Sequence, residues 1–268
     1  MHSSFQEKAV IITGSSRGLG KVLAIELGKR GAHVIINGKN SDTLQLAYHE
    51  LKKLNYDVHA VCADVTKPDE CEQLIQYAIQ NLGKLDIVIN NATLSARGFF
   101  EEMSSEVFNK VVQSNIQGAA FPTLKALPYL RKSKGSVVFV SSIAAFLGLP
   151  SASAYSIGKM GLTALAQSLK SELSISGIHV GIAYVGFVRN DPEKTILNSK
   201  GEHIKPHNRP AYVEQSQLYV AHNILKMIER RKYQIILSMP GKFQAFMARI
   251  FPQLTMRLIN LLHKRSDF

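Results

Sequence analysis

The stretch Ala9-Val10-Ile11-Ile12-Thr13-Gly14-Ser15-Ser16-Arg17-Gly18-Leu19-Gly20 decides how this chain is read. A short apolar run, Ala9 to Thr13, stops at a glycine. A helical pattern follows, with Val22, Leu23, Ile25, Glu26 and Leu27, and Gly31 is placed to end it. Glycines permit a tight turn and let backbone N–H groups approach a phosphate, while the helix N-terminus favours negative charge. The spacing Gly-x-x-x-Gly-x-Gly differs from the commoner dinucleotide pattern, and alone it fits any tight strand–helix turn. The first strand, the first helix and the polar Ser15, Ser16 and Arg17 turn the reading towards a nucleotide.

Outward from this turn the chain alternates strand and helix. Strands are expected at His33–Ile36, Val58–Ala63, Leu85–Asn90, Ser136–Ser141, His179–Val185 and Gln234–Leu237. Helices are expected from Ser41, a candidate cap, to Leu54, and from Asp69 to Leu82 before Gly83. Others run from Ser104 to about Leu130, with Pro128 bending the end, from Ser153 to Ile175, and from about Ala211 to Arg231. Such alternation predicts right-handed crossovers and a parallel sheet. The fold class is α/β: a single Rossmann-type, doubly wound, seven-stranded parallel sheet with helices on both faces, over residues 1–240. Residues 241–268 are expected to form an amphipathic helical extension. The polar segment Asp191–Pro210 reads as an irregular lid or insert.

The end of the second strand bears on the cofactor. An acid there would bond a ribose 2′-hydroxyl. Here the strand runs into Asn37-Gly38-Lys39-Asn40, without one. Arg17 and Lys39 are placed to flank a 2′-phosphate, which favours NADP(H) over NAD. Asp64-Val65 follows the third strand, where a carboxylate can accept a bond from an adenine amino group. Asn90-Asn91-Ala92 ends the fourth strand, where amides tie loops together and face a cofactor.

Tyr155 and Lys159 stand one helical turn apart and share a face. A phenol titrates near ~10 and is a poor acid–base group at neutral pH unless a cation favours its phenolate. Ser141-Ser142 closes the fifth strand at its carboxyl end, where open α/β sheets place ligands. Asn115 lies inside a helix, where an amide is a poor former and needs a reason.

Together these pieces resemble a classical short-chain dehydrogenase/reductase over about residues 6 to 237. The matching pieces are the Thr13–Gly20 turn, Asp64-Val65, Asn90-Asn91-Ala92, Asn115, Ser142, Tyr155-Ser156-Ile157-Gly158-Lys159 and Gly186-Phe187-Val188. The resemblance implies that Tyr155 is the general acid in carbonyl reduction and the base in alcohol oxidation. Lys159 would depress the Tyr155 pKa and bond the nicotinamide ribose. Ser142 would hold the substrate oxygen, and Asn115 would position a water linking Lys159 to solvent. Gly14, Ser15, Ser16, Arg17, Gly18, Leu19, Gly20, Lys39, Asp64, Val65, Asn91, Ala92, Gly186, Val188 and Asn190 would touch NADP(H), with Tyr155 and Lys159. The chain departs from the family pattern at Thr93 (usually glycine), at Val185 (usually proline) and at Asn190 (usually threonine). Members commonly form homodimers or homotetramers through the helices that carry Asn115 and Tyr155.

Composition sets the remaining bounds. The chain has 268 residues, 46% of them hydrophobic, enough for a core. Cys62 and Cys71 suggest neither a metal site nor a disulfide framework. No apolar leader precedes Lys8 and no apolar run approaches a membrane span, so a cytoplasmic protein, at most peripheral to a membrane, is expected. A net charge of +12 suits nucleic acid, an anionic membrane or an anionic cofactor, or only a solvated basic surface. No basic stripe or nucleic-acid motif supports the first.

In the tail, Phe243, Phe246, Met247, Ile250 and Leu254, then Leu258, Ile259, Leu261 and Leu262, follow helical spacing across Pro252. Lys242, Arg249, Arg257, Lys264 and Arg265 stand among them. This segment fits a covering for its own domain, for a partner subunit or for a membrane surface. Leu94, Phe146, Leu147 and Leu149 are expected to line an apolar pocket for a small-molecule carbonyl or alcohol. A different class is an NADP(H)-binding protein of the same fold that acts as a sensor or scaffold.

Overall fold

The computed structural model describes residues 4–207, 210, 212 and 214–263. Strands β1 (Ala9–Ile12), β2 (His33–Gly38), β3 (Val58–Cys62), β4 (Ile87–Asn90), β5 (Ser136–Ser142) and β6 (His179–Val185) alternate with helices. These are α1 (Gly18–Gly28), α2 (Ser41–Lys52), α3 (Pro68–Leu82), α4 (Ser105–Ser133) and α5 (Ser153–Glu172). A two-stranded hairpin follows, β7 (Ile196–Leu197) and β8 (His203–Ile204), then α6 (Gln217–Glu229), β9 (Gln234–Ile236), α7 (Met239–Ile250) and α8 (Pro252–His263).

The main sheet has seven strands in the order β3-β2-β1-β4-β5-β6-β9, all parallel. Strand order reverses at β1, whose neighbours are β2 and β4, so a crevice forms beyond their carboxyl ends. Successive strand residues point to opposite faces. Val10, Ile12, Val34 and Ile36 pack with α1, α2 and α6 through Leu23, Leu27, Leu44, Leu51 and Ile224. Ile11, Ile35, Val88 and Phe139 pack with α3, α4 and α5 through Leu74, Ile75, Leu130, Leu162 and Ala166. The near-continuous apolar strands follow from this burial on both sides.

Element ends differ from the sequence reading where caps compete. Asn40, not Ser41, caps α2, accepting from the Thr43 N–H at 2.9 Å. Gly83 ends α3 in the left-handed region, as its position suggested. Helix α4 continues through both Pro122 and Pro128 to Ser133. The segment Asp191–Pro210 is not an irregular insert: it contains the hairpin, and Leu197 bridges to Ala96. Helix α6 starts at Gln217, while Ala211, its expected start, lies outside the described residues, as do Lys264 and Arg265. Pro252 separates α7 from α8. Among the described residues no helix is long and apolar enough to cross a membrane.

Candidate active site

The glycine turn is held from two sides. The Thr13 hydroxyl accepts from the backbone N–H groups of Asn91 and Ala92, both at 3.0 Å. The Asn91 amide donates to the carbonyls of Thr13 (3.1 Å) and Gly14 (2.8 Å). The ends of β1 and β4 are thereby tied together across the crevice. Gly14 has φ +62°, and a Cβ there would stand 2.7 Å from Ala92 Cα. A Cβ on Gly20 would stand 2.4 Å from the Gly14 carbonyl oxygen and 2.6 Å from Asn91 Nδ2. No side chain fits at either place. At Gly18 a Cβ would meet nothing, so the N-terminus of α1 opens onto free space.

Ser15 has a different role from the one expected. Its hydroxyl donates to Ile12 O at 2.7 Å and accepts from Asn37 N at 2.9 Å, and its own N–H goes to Asn37 O at 2.8 Å. These groups point into the fold, so Ser15 shapes the loop by tying it to β2. Ser16 is half-buried and lies against Gly38 at the end of β2, where an added Cβ would stand 2.2 Å from its hydroxyl. Arg17 and Lys39 are exposed, on the turns after β1 and β2. Arg17 donates to the carbonyl of Glu193 at 3.1 Å, linking the glycine turn to the segment after β6.

Asp64 accepts from both the N–H and the hydroxyl of Thr66, at 3.0 and 2.7 Å. Burial opposes its ionisation, but the Thr66 bonds and the charges of Lys39 and Lys67 outweigh this and hold the carboxyl below its ordinary range. Val65 beside it is buried against Gly118 of α4. On the other side, the turn Gly186–Asn190 is fixed by backbone bonds from Gln215 N to Phe187 O (2.8 Å) and from Arg189 N to Gln215 O (3.0 Å). Val188 and Asn190 are half-buried there.

Ser142 ends β5, and its hydroxyl accepts from Ala144 N at 3.2 Å, capping the short turn Ile143–Ala145. Tyr155 and Lys159 lie one turn apart on α5. Lys159 Nζ is 5.5 Å from the Tyr155 ring centre and donates to Val140 O at 3.2 Å. The lysine is only 2% exposed, and burial, reinforced by the nearby charge of Lys194, pushes its ammonium down to about 7. Asn115 faces α5 from α4. A Cβ on Gly158 would stand 2.5 Å from Asn115 Cβ, so this glycine lets the two helices meet.

The mid-helix amide now has its reason. Asn115 Nδ2 donates to Leu94 O (2.7 Å) and to Val111 O (2.9 Å), and Oδ1 accepts from the Thr93 hydroxyl at 2.7 Å. Thr93, the departure from the family pattern, therefore fixes the orientation of Asn115. The amide is engaged with protein groups, and the expected water relay at this residue is left with the second lone pair of Oδ1 or the main-chain carbonyl.

The Tyr155 ring packs beside an apolar cluster of Ala96, Val107, Val111, Ala154 and Leu197, with Leu94 at its edge. Leu197 comes from the hairpin, pinned by Leu197 N to Ser95 O (3.0 Å) and Arg97 N to Leu197 O (2.8 Å). Phe146 is not part of this cluster: it is half-buried, its ring centre 4.4 Å from that of Tyr184, and packs against the core on the α3–α5 side. Leu149 lines a separate groove between α5 and α8. Sequence reasoning gave no part to Lys194 and Leu197, and it quoted Thr13, Asn37, Thr93 and Gly158 in their motifs without the contacts they make here. Among the described residues no group of His, Cys, Asp and Glu could hold a metal ion.

Comparison with known proteins agrees with this geometry. The family model "short chain dehydrogenase" matches residues 8–200. The chain belongs to the short-chain dehydrogenase/reductase family. It is 35% identical over 186 residues to 11-beta-hydroxysteroid dehydrogenase-like 2 of Arabidopsis thaliana, covering 69% of this chain and 60% of that one. It is 34% identical over 201 residues to 11-beta-hydroxysteroid dehydrogenase A of Arachis hypogaea, covering 73% and 56%. The matched region thus spans under two thirds of these relatives' length. Among solved structures, a short-chain dehydrogenase/reductase from Burkholderia phymatum in complex with NAD superposes with a TM-score of 0.78 at 20% identity, over 92% of this chain and 93% of that one. A putative short-chain alcohol dehydrogenase from Sinorhizobium meliloti gives 0.67 at 26% identity, over 70% and 75%.

Proposed function

We propose that the protein is an NADP(H)-dependent oxidoreductase that interconverts a carbonyl and a secondary alcohol on a lipophilic substrate. The observation that carries this reading is the Tyr155–Lys159 pair at the carboxyl edge of the sheet, with buried Lys159 beside the Tyr155 ring and Asn115 locked against the same helix. The glycine turn supports the cofactor, because a Cβ at Gly14 or Gly20 would fill the cradle that a pyrophosphate requires.

Gly14, Gly18, Leu19 and Gly20 would hold the pyrophosphate, with Ser15 shaping the turn. Ser16, Arg17 and Lys39 would hold a 2′-phosphate, the feature that selects NADP(H). Asp64 and Val65 would hold the adenine, Asn91 and Ala92 its ribose side, and Gly186, Val188 and Asn190 the nicotinamide side. When bound, the nicotinamide supplies or accepts the hydride.

The chain's own part is proton handling and positioning. In reduction Tyr155 donates its phenolic proton to the carbonyl oxygen, and in oxidation it takes that proton back. Ser142 holds the same oxygen as charge develops on it. Lys159, poised near neutrality, stabilises the phenolate and passes a proton at Nζ. Asn115, held by Thr93, keeps α4 in register behind Lys159. The apolar cluster around Tyr155 supports a lipophilic substrate. Residues 1–240 would form the catalytic unit, 241–268 its extension. Exposed Leu124 of α4 supports homodimers or homotetramers through the helices that carry Asn115 and Tyr155.

The test is a fluorescence titration with NADPH and NADH, for wild type, Arg17→Ala and Lys39→Ala, with turnover followed on a panel of ketones. NADPH should bind about tenfold or more tighter than NADH, and each substitution should erode that preference, as expected for charge-assisted phosphate contacts. Equal affinity for both cofactors would reject the assignment of Arg17 and Lys39, and binding of neither would reject the function.

A further inference from the structure

Beyond β9 the chain forms two helices that the catalytic reading does not use. On α7, Phe243, Phe246 and Ile250 form an exposed apolar stripe, and on α8, Leu254, Leu258 and Leu261 form another. Lys242, Arg249 and Arg257 stand exposed beside these stripes. The sequence holds no Asp or Glu between Glu229 and Asp267. Apolar side chains with a purely basic border suit an interfacial helix lying in the plane of a bilayer.

The domain itself leaves this face open. Helix α8 meets the body where Met256 and Ile259 face Leu149, Pro150 and Met160 across a groove of about 380 Å³. A second copy is a poor cover: two such faces related by a two-fold axis would set the same basic side chains against each other, with no acid in the segment to pair them. An anionic lipid surface satisfies both features, taking the apolar stripes into its acyl boundary and the cations at its headgroups.

We propose that α7 and α8 form a monotopic anchor that docks the protein on an anionic phospholipid surface. The anchor adjoins the catalytic edge. The start of α7 packs on the turn after Ser142, where a Cβ on Gly241 would stand 2.6 Å from Ile143 Cγ2 and where Gln244 donates to Ile143 O at 3.4 Å. Docking therefore brings the substrate side of the domain, with its apolar groove, to the lipid. The proposal goes beyond the redox reading and stands without it.

The experiment is vesicle flotation of the full chain with phosphatidylcholine alone and with phosphatidylcholine containing phosphatidylserine, at low and high salt. Partitioning should be about a hundredfold stronger on the anionic vesicles, as three basic side chains at an anionic surface imply, and should fall with salt. The variant F246D/L258D should lose flotation while keeping its melting temperature and its NADPH affinity, since both positions are exposed and outside the site. No flotation on anionic vesicles by the wild-type chain would overturn the proposal. A drop in sedimentation mass in F246D/L258D would assign the face to a second copy and also overturn it.

Discussion

The glycine turn and the C-terminal helical pair show opposite uses of side chains. In the turn, Thr13, Ser15, Asn37 and Asn91 spend their polar groups on fixing backbone, and Gly14 and Gly20 are tight enough to exclude a methyl group. In α7 and α8, large apolar side chains stand out in solvent, and contacts with the body are confined to one side. The first region is over-determined, as the proposed cradle of preset N–H groups for a cofactor phosphate would require. The second is amphipathic, and among the described residues nothing covers its stripes. Rigidity goes with the proposed chemistry, and unspent apolar surface with the proposed docking face.

The sharpest way to break that contrast is the buried lysine. Lys159→Met should abolish turnover yet raise the melting temperature by about 5 °C or more at pH 7, because burial of the ammonium costs on the order of 4 kcal/mol there. The folded value lies below the unfolded one of 10.5, so between pH 7 and that value the unfolded chain binds more protons at this residue, and the penalty Lys159 imposes on the fold shrinks as pH rises. The advantage of methionine should therefore shrink from pH 7 to pH 10 in paired thermal melts. An advantage that grows with pH would contradict the account.

Gly20→Ala comes next. Its methyl group would press on the Gly14 carbonyl and the Asn91 amide, and overpacking of this kind costs about 1–3 kcal/mol. NADPH affinity should fall with it by about a hundredfold, read by titration. Thr93→Val is expected to cost about 1–2 kcal/mol in urea unfolding, because the Asn115 carbonyl oxygen loses its donor. Turnover should drop more than stability alone explains, whereas Thr93→Ser should restore both. The smallest effect belongs to the tail: Phe243→Ser should change stability by under about 0.5 kcal/mol, since the ring is 66% exposed. A loss there as large as that of Gly20→Ala would mean that the helical pair belongs to the core.

Most of the fold was legible in the chain because its strands are apolar on both faces and its glycines punctuate them. Asp64, Ser142, Tyr155 and Lys159 occupy the turns and the helix face that their spacing suggested. Illegible were the pairings between distant residues. Ser15 looked like a cofactor contact, but its partner Asn37 lies on the neighbouring strand, a contact that local pattern does not carry. Thr93 read only as a departure from the family pattern, because its bond to Asn115 joins residues 22 positions apart. Segment 191–210 looked irregular because a two-residue strand has no periodicity to read, and Leu197 is buried through contacts distant in the chain, its bridge to Ala96 and the cluster with Val107, Val111 and Ala154. Ser41 and Asn40 are both good caps, and the local pattern does not show that Asn40 takes the extended backbone and the bond from the Thr43 N–H.

The most direct test of the central claim follows NADPH absorbance with a panel of apolar ketones for wild type and Tyr155→Phe. Wild type is expected to turn over and the variant to lose about a thousandfold or more, with NADPH affinity unchanged, as removal of a general acid requires. Turnover that survives in Tyr155→Phe would contradict that claim.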